Sequence, residues 1–199
     1  MPIHPNDAFI KLQKEDINFF AGVPDSLLKN FCSFMDENLD INNHVISANE
    51  GSSIAISIGY HLATGKVPLV YMQNSGLGNA INPLLSLADK KVYSIPILLM
   101  IGWRGEPGLK DEPQHIKQGA VTENMLQAMG IETFILDQES SLEVLKNACV
   151  SAKKNKQPVA ILVKKGTFSE YKPKKNISSK LSMSREDAIK IIAKEAQKF

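Results

Sequence analysis

The sequence contains few of the residues that mark several large classes of protein. Only two of its 199 residues are cysteine, which excludes a disulfide-stabilised scaffold. Cys32 and Cys149 lie among apolar residues of helix-like segments without further metal ligands nearby, so we expect reduced core thiols. No apolar run reaches the roughly 18 residues that cross a membrane, and residues 1–14 do not have the pattern of a secretory signal peptide. We therefore expect a cytoplasmic protein with no membrane partner.

Neither sign of charge dominates the composition. The chain has 23 Lys and Arg against 21 Asp and Glu, for a net charge of +2, although residues 153–199 carry 13 basic and only 4 acidic residues. Those basic residues are not interleaved with aromatic ones, so we interpret them as solvated surface and expect no nucleic-acid partner. The apolar share of 43% is that of a globular protein with a buried core.

Short apolar runs alternate with amphipathic stretches, a pattern typical of βαβ units around a parallel sheet. The pattern predicts an α/β fold over residues 1–165: a three-layer αβα domain with a six-stranded, mostly parallel sheet. Residues 166–183 have the composition of a linker, and Ser184 begins a separate helix over 184–199. Strands are predicted at 17–21, 44–48, 69–73, 97–102, 132–136 and 159–164, and helices at 6–14, 25–37, 51–63, 78–88, 122–129 and 141–154.

Ligands of such sheets bind outside the carboxyl ends of the strands. Three polar segments follow the first three predicted strands, at residues 22–26, 49–51 and 74–79. The polar stretch 103–119 follows the fourth strand, and we interpret it as a long functional loop. These four segments are therefore predicted to form the binding site.

Glu50 is the most informative residue of these segments. It follows an apolar strand and begins a helix that has no further charge until Lys66. Such a carboxylate is either a first-turn residue stabilised by the helix dipole or a buried acid with a chemical role. Its position alone does not decide between these two interpretations.

Several ordered strings resemble the pyrimidine-binding half of the thiamine-diphosphate-dependent 2-oxoacid decarboxylases. They are Glu50 with the residues at 65–68, 73–79 and 102–105. The strings Gly-Val-Pro-Asp-Ser at 22–26, Arg-Gly-Glu-Pro-Gly at 104–108 and Asp-Glu-Pro-Gln-His at 111–115 resemble the phosphonopyruvate decarboxylases in particular. Sulfopyruvate decarboxylases, in which this half can be a separate alpha-type subunit, are similar and remain the alternative. The likeness covers residues 19–165.

The resemblance implies thiamine diphosphate as cofactor and a role for Glu50 in catalysis. Its carboxylate would hydrogen-bond the aminopyrimidine ring and favour the imino form that takes the proton from the thiazolium carbon. The implied reaction converts 3-phosphonopyruvate to phosphonoacetaldehyde and carbon dioxide. The residues expected to pack against the cofactor beside Glu50 are Asn74, Gly76, Gly78 and Asn79.

Other polar residues of the predicted site have a simple structural alternative as well as a chemical one. Asp25 is expected to be catalytic and Ser26 to contact substrate, but either can instead cap the next helix, and the sequence does not say which one faces the reacting carbon. His115 is expected to act as an acid, although histidines in exposed loops are commonly inert. Arg104 and Lys110 are expected to bind the substrate's anionic groups, and solvated surface is the alternative for Lys110.

The Gly-Asp-Gly stretch that holds magnesium and the cofactor's diphosphate in this superfamily is not found in the sequence. We therefore expect no metal ligands in this chain, Mg²⁺ held by a diphosphate-binding domain or subunit, a homo-oligomer formed through the pyrimidine-binding domain, and no activity of the chain alone. Whether the chain is a truncated form or a subunit of a split enzyme stays open. The alternative hypothesis from another functional class is a non-catalytic binding or regulatory domain of the same fold.

Overall fold

A computed structural model describes residues 1–174 and 183–198. Within these residues the strands are β1 (Phe20–Gly22), β2 (His44–Ile46), β3 (Leu69–Gln73), β4 (Leu98–Gly102), β5 (Glu132–Leu136) and β6 (Val159–Val163). The α-helices are α1 (Pro5–Lys14), α2 (Lys29–Asn38), α3 (Glu50–Thr64), α4 (Leu77–Pro83), α5 (Pro113–Ala128), α6 (Glu143–Asn155) and α7 (Arg185–Ala196). A 3₁₀ turn (Asn74–Gly76) precedes α4, and a π-helical turn (Leu84–Ala88) follows it.

The six strands form one sheet in the order β2-β1-β3-β4-β6-β5, and every pairing is parallel. The predicted α/β fold is confirmed, and the sheet is entirely rather than mostly parallel. The chain leaves β1 for β2 on one side and then crosses to β3 on the other. The strand order therefore reverses at β1, and a crevice for ligands is expected above the carboxyl ends of β1 and β3.

Helices cover both faces of the sheet. Leu69 and Tyr71 of β3 point into one core, which α1, α2 and α6 share, whereas Val70 and Met72 point into the other core, which α3, α4 and α5 share. All four side chains are fully buried. Burial on both faces explains why the central strands are continuous apolar runs in the sequence.

The starts predicted for two helices from the sequence are wrong. α5 begins at Pro113, within the predicted long loop, so the loop after β4 is short and His115 lies in the first turn of a helix. Only Gly119, Thr122 and Leu126 of α5 are buried, so the helix lacks a broad apolar stripe. α2 begins at Lys29 rather than near residue 25, because the residues before it form an irregular turn around the Asp25 carboxylate.

The first residues of the predicted linker are packed against the domain. Phe168 is buried in the core on the α1 side and pairs with Ile3, and Tyr171 stands edge-on to Phe34. Residues 175–182 of the predicted linker lie outside the described residues. The helix predicted from Ser184 is present as α7, and the Ser184 hydroxyl accepts a hydrogen bond from the Asp187 amide at 3.1 Å. Its assignment to a further domain stays a prediction.

None of the described helices is both long enough and apolar enough to cross a membrane.

Candidate active site

Glu50 is the first residue of α3, at the carboxyl edge of the sheet. The helix begins there because the Asn49 side chain accepts a hydrogen bond from the Ser52 amide at 2.9 Å. The Glu50 carboxylate is half-buried. Its Oε2 accepts a hydrogen bond from the side-chain amide of Asn79 at 2.8 Å, and no described residue donates to its Oε1. Glu50 is thus a first-turn residue with one oxygen available to a ligand.

The turn between β3 and α4 lies directly against this carboxylate. A Cβ at Gly76 would be 2.4 Å from Glu50 Oε1, and one at Gly51 would be 2.8 Å from the Asn79 carbonyl oxygen. Gly78, in contrast, is exposed and has open space where a side chain would be. Of the two glycines expected to pack against the cofactor, Gly76 allows another part of the chain to approach closely, and Gly78 has no other part of the chain near its side-chain position.

Asn74 joins the turn after β3 to the loop after β4. Its side chain is buried, and its amide nitrogen donates to the Arg104 carbonyl at 2.8 Å and to the Thr122 hydroxyl at 2.9 Å. Its oxygen accepts from the Arg104 amide at 3.2 Å. Both amide hydrogens are therefore used inside the protein, which gives Asn74 a structural function next to the residues predicted to bind the cofactor.

Asp25 faces inward and Ser26 faces outward. Asp25 is only 6% exposed, and its Oδ2 accepts from the amides of Leu27 at 2.9 Å and Leu28 at 3.2 Å. A Cβ at Gly102 would be 2.1 Å from this oxygen, so β4 ends in a glycine that makes room for it. The other oxygen, Oδ1, is buried without a hydrogen-bond partner among the described residues.

Burial raises the pKa of Asp25 because it disfavours the charged carboxylate. The backbone amides that donate to it and the nearby Arg104 guanidinium act in the opposite direction but do not cancel the effect. A carboxyl group of this kind holds its proton to a higher pH than an ordinary aspartate. Asp25 both organises the turn before α2 and is chemically suited to move a proton.

Arg104 links the loops after β1 and β4. Its Nε and Nη2 donate to the two oxygens of Asp111 at 2.8 and 2.5 Å, and its Nη1 donates to the Ser26 hydroxyl at 2.9 Å. This double hydrogen bond raises the pKa of Arg104 and holds the pKa of Asp111 well below its usual range. The predicted substrate residues Ser26 and Arg104 are therefore in direct contact.

The two remaining predicted residues lie farther along this loop and in the helix after it. Lys110 is exposed, and His115 is half-buried in the first turn of α5. The structure thus brings Glu50, Gly76 and Asn79 together in one group and Asp25, Ser26 and Arg104 in another, with Asn74 between them. The roles of Lys110 and His115 stay predictions.

Several polar residues near the site were not predicted. Asp36, His44 and Tyr71 line a cavity of about 230 Å³ that also touches Asp25 and Ser26. His44 bonds the Tyr71 hydroxyl at 2.8 Å and approaches Asp36 at 3.3 Å, and burial lowers its pKa. Tyr71 belongs to an apolar strand, so the sequence offered no sign that its hydroxyl has a buried partner.

The sequence signature of the family "Thiamine pyrophosphate enzyme, N-terminal TPP binding domain" matches residues 6–131. The chain belongs to this family. The sulfopyruvate decarboxylase subunit alpha of Methanocaldococcus jannaschii is 35% identical over 153 residues, which are 76% of this chain and 87% of that subunit. The phosphonopyruvate decarboxylase of Streptomyces viridochromogenes is 33% identical over 161 residues, which are 75% of this chain but 37% of that protein. The predicted resemblance is confirmed.

A solved structure supports the fold of this thiamine pyrophosphate enzyme domain. Benzoylformate decarboxylase from Polynucleobacter necessarius superimposes with a TM-score of 0.67 at 20% sequence identity, covering 98% of this chain and 36% of that chain. The chain therefore spans about a third of the length of some relatives and most of the length of others.

The residues around Glu50 fit the pyrimidine end of thiamine diphosphate. Oε1 has no donor among the described residues and can accept a hydrogen bond from a ring nitrogen, and the missing side chain at Gly76 leaves the space in which the carboxylate lies. In residues 1–174 and 183–198, no three His, Cys, Asp or Glu side chains are grouped so that they would hold a metal ion.

Proposed function

We propose that the chain is the pyrimidine-binding part of a thiamine-diphosphate-dependent decarboxylase of 2-oxoacids that carry a second anionic group. One observation supports this proposal above the others: Glu50 presents an open carboxylate oxygen beside Gly76 at the carboxyl edge of a sheet of the matching family. When bound, the cofactor would supply its cationic thiazolium ring as the electron sink for the bond that breaks as carbon dioxide leaves.

Glu50 would orient the cofactor's aminopyrimidine ring and share a proton with its ring nitrogen through Oε1. Asn79 holds Oε2, so the carboxylate is fixed in place before any ligand arrives. Gly76, Gly78 and Asn79 would lie against the ring. Asn74 would act indirectly, because its buried amide joins this turn to Arg104.

Asp25 would supply or accept the proton that moves at the substrate. Its raised pKa keeps a proton available nearer neutral pH, which a general acid requires. His115 is the second candidate acid, in the first turn of α5. We propose Asp25 rather than His115 as the main general acid, because Asp25 faces inward and its Oδ1 has no hydrogen-bond partner among the described residues.

The substrate we propose first is 3-phosphonopyruvate, which would give phosphonoacetaldehyde and carbon dioxide. Arg104, Ser26 and Lys110 provide the cations and the hydroxyl that a phosphonate group would contact. Sulfopyruvate is the second candidate, and it is favoured by two relatives named subunit alpha, of which this chain covers 86% and 87%. Both tails are tetrahedral, anionic and similar in size, so the same residues would hold either.

The partner we propose is a diphosphate-binding domain or subunit that carries Mg²⁺. Relatives named as alpha subunits support a split enzyme, and relatives of which the chain spans 37–41% support a second domain. We also propose that the pyrimidine-binding domain mediates a homo-oligomer and that the enzyme works in the cytoplasm. A non-catalytic domain of the same fold is the rival.

The test is to combine the chain with a diphosphate-binding subunit from its source organism, thiamine diphosphate and Mg²⁺. Carbon dioxide release would then be measured with 3-phosphonopyruvate, sulfopyruvate and pyruvate. We expect release from at least one of the two acids with an anionic tail, at a kcat/KM well above that for pyruvate. Stable binding of the subunit without release from any of the three acids would contradict the proposal and favour the non-catalytic rival.

A further inference from the structure

We propose that Asp111 is a positioning residue that aims Arg104 at the anionic tail of the substrate, and that the pair determines specificity for 2-oxoacids with a charged tail. The inference rests on the proposed function. Among the described residues, Asp111 accepts its side-chain hydrogen bonds from Arg104 and from its own loop.

The Asp111 carboxylate accepts four hydrogen bonds. Two come from the Arg104 side chain, and two come from the backbone amides of Gly105 at 2.7 Å and Glu112 at 2.8 Å. The carboxylate is therefore fixed by the loop it belongs to and fixes Arg104 in turn. Arg104 and Asp111 are only 20% and 17% exposed at their side chains, so this ion pair is protected from much of the screening that weakens surface pairs.

The backbone of Arg104 is held as firmly as its side chain. Asn74 bonds both its amide and its carbonyl group. The next residue, Gly105, lies against α5 so closely that a Cβ at Gly119 would be 1.6 Å from the Gly105 carbonyl oxygen. The guanidinium therefore has a defined position before the substrate binds, which lowers the entropy lost on binding.

The contacts of Arg104 leave two N–H groups of the guanidinium for a ligand. A guanidinium has five N–H groups, and three of them are donated here, one from Nε and one from each terminal nitrogen. Each terminal nitrogen keeps one hydrogen, which can be donated to an oxygen of a phosphonate or sulfonate.

The chemistry of decarboxylation indicates which substrate group these two N–H groups bind. The carboxylate loses its charge as carbon dioxide forms, so a cation on it would stabilise the ground state more than the transition state and slow the reaction. The tail keeps its charge throughout. A cation on the tail binds substrate and transition state equally, so its loss changes KM and leaves kcat largely unchanged.

The kinetic test uses the complete assembly with the Asp111→Asn variant. The substitution removes the negative charge of Asp111 and one of its two acceptor oxygens, so Arg104 is no longer held in place. We expect KM for 3-phosphonopyruvate or sulfopyruvate to rise about tenfold or more, which is the size of effect seen when a hydrogen bond to a charged group is lost. We expect kcat to stay within about threefold and the kinetic constants for pyruvate to change little. Asp40→Asn is the matched control, because Asp40 also accepts hydrogen bonds within a turn but lies at the opposite edge of the sheet.

A second measurement does not depend on activity. The sequence contains only two arginines, Arg104 and the exposed Arg185, so the side-chain Nε–H region of an NMR spectrum has an internal reference. In the wild-type chain we expect Arg104 Nε–H to be rigid and slow to exchange with water, and Arg185 to be mobile and fast. In Asp111→Asn we expect Arg104 to behave like Arg185.

Each outcome decides the proposal. A mobile Arg104 in the wild type would overturn it even if no substrate were turned over. An active wild-type assembly in which Asp111→Asn leaves the preference for charged tails unchanged, or loses kcat equally with all acids, would also overturn it. An assembly inactive with every acid contradicts the proposed function, and the NMR result then decides on its own whether Asp111 positions Arg104.

Discussion

The Glu50 carboxylate can lie against the turn after β3 because the residue opposite, Gly76, has no side chain. Gly76 has φ −73° and ψ −13°, a conformation that any residue adopts, so glycine is not required there by the backbone. It is required by the 2.4 Å that would separate its Cβ from Glu50 Oε1. The atoms in conflict belong to a flexible side chain, so a larger residue would displace the carboxylate before it disturbed the fold.

Gly76→Ala is therefore expected to change the free energy of unfolding by less than about 1 kcal/mol. The same variant should lower kcat of the assembled enzyme by about 10²-fold, because a displacement of about 1 Å in a catalytic group has effects of this size. Urea unfolding and carbon dioxide release measure the two quantities. Gly59→Ala on α3 is the control, since it has open space around it. Full activity of Gly76→Ala would show that the position of Glu50 does not matter.

Asp25 carries a second prediction at the scale of one residue. Its folded-state pKa lies above the unfolded value of about 3.9, so the folded state binds more protons between these two values and loses stability as the pH rises through this window. An asparagine side chain at this position has no proton to lose in that window. We expect Asp25→Asn to raise the free energy of unfolding at pH 7 by about 0.5–2 kcal/mol, a common gain when a functional group is replaced.

The gain from Asp25→Asn should shrink as the pH falls toward 4, because the wild-type carboxyl group is then increasingly protonated in both states. Urea unfolding of both proteins at pH 7 and at pH 4 measures the difference, and effects of other groups such as Asp111 largely cancel between them. A gain that is the same at both pH values, or a loss at pH 7, would show that the buried carboxylate is not disfavoured.

At the scale of elements, α5 and the loop before it act as one unit. Trp103 donates from its ring nitrogen to the Gly119 carbonyl at 3.0 Å, and the Gly105 turn, at φ 67°, lies against the same helix position. Contact between two backbone segments leaves no flexible group to move aside. This packing fixes the loop that carries Arg104.

Gly119→Ala should therefore lower the free energy of unfolding by about 3 kcal/mol, through overpacking against the Gly105 carbonyl. Helix propensity alone predicts the opposite, a gain of up to about 1 kcal/mol for alanine over glycine. Gly78→Ala on α4 is the stability control, because nothing lies near its side-chain position, and it should follow propensity. Equal effects of the two substitutions would show that α5 does not touch the loop.

These elements also show why the sequence predicts some strands and helices better than others. The strands β3 and β5 have the predicted bounds, because each is a short run between clear breaks. The helix α5 begins well before the predicted residue, since its exposed first turns have no apolar period and Pro113 is typical of a loop as well as of a first helical turn. Contacts between backbones, such as that of Gly105 with Gly119, leave no pattern in the sequence.

At the scale of the whole molecule, the order of motifs along the chain predicted the fold and the family. The sheet order brings the ends of β2, β1, β3 and β4 side by side, which is why segments far apart in sequence meet in one site. Glu50, Asp25 and Arg104 were predicted from these segments. Asp111 entered the prediction only as part of a motif, and the sequence did not distinguish Tyr71 from an ordinary core residue. The function of each side chain depends on a hydrogen-bond partner from another part of the fold.

The most direct measurement concerns the role of Glu50 in the complete assembly. Exchange of the thiazolium carbon's proton for deuterium in bound thiamine diphosphate can be followed by quenched-flow NMR for wild type and Glu50→Gln, with Glu139→Gln, an exposed turn residue, as control. If Glu50 promotes this proton transfer, Glu50→Gln should slow the exchange by at least about 10²-fold while the cofactor stays bound, and Glu139→Gln should not. Exchange at the wild-type rate in Glu50→Gln with bound cofactor would contradict the role of Glu50.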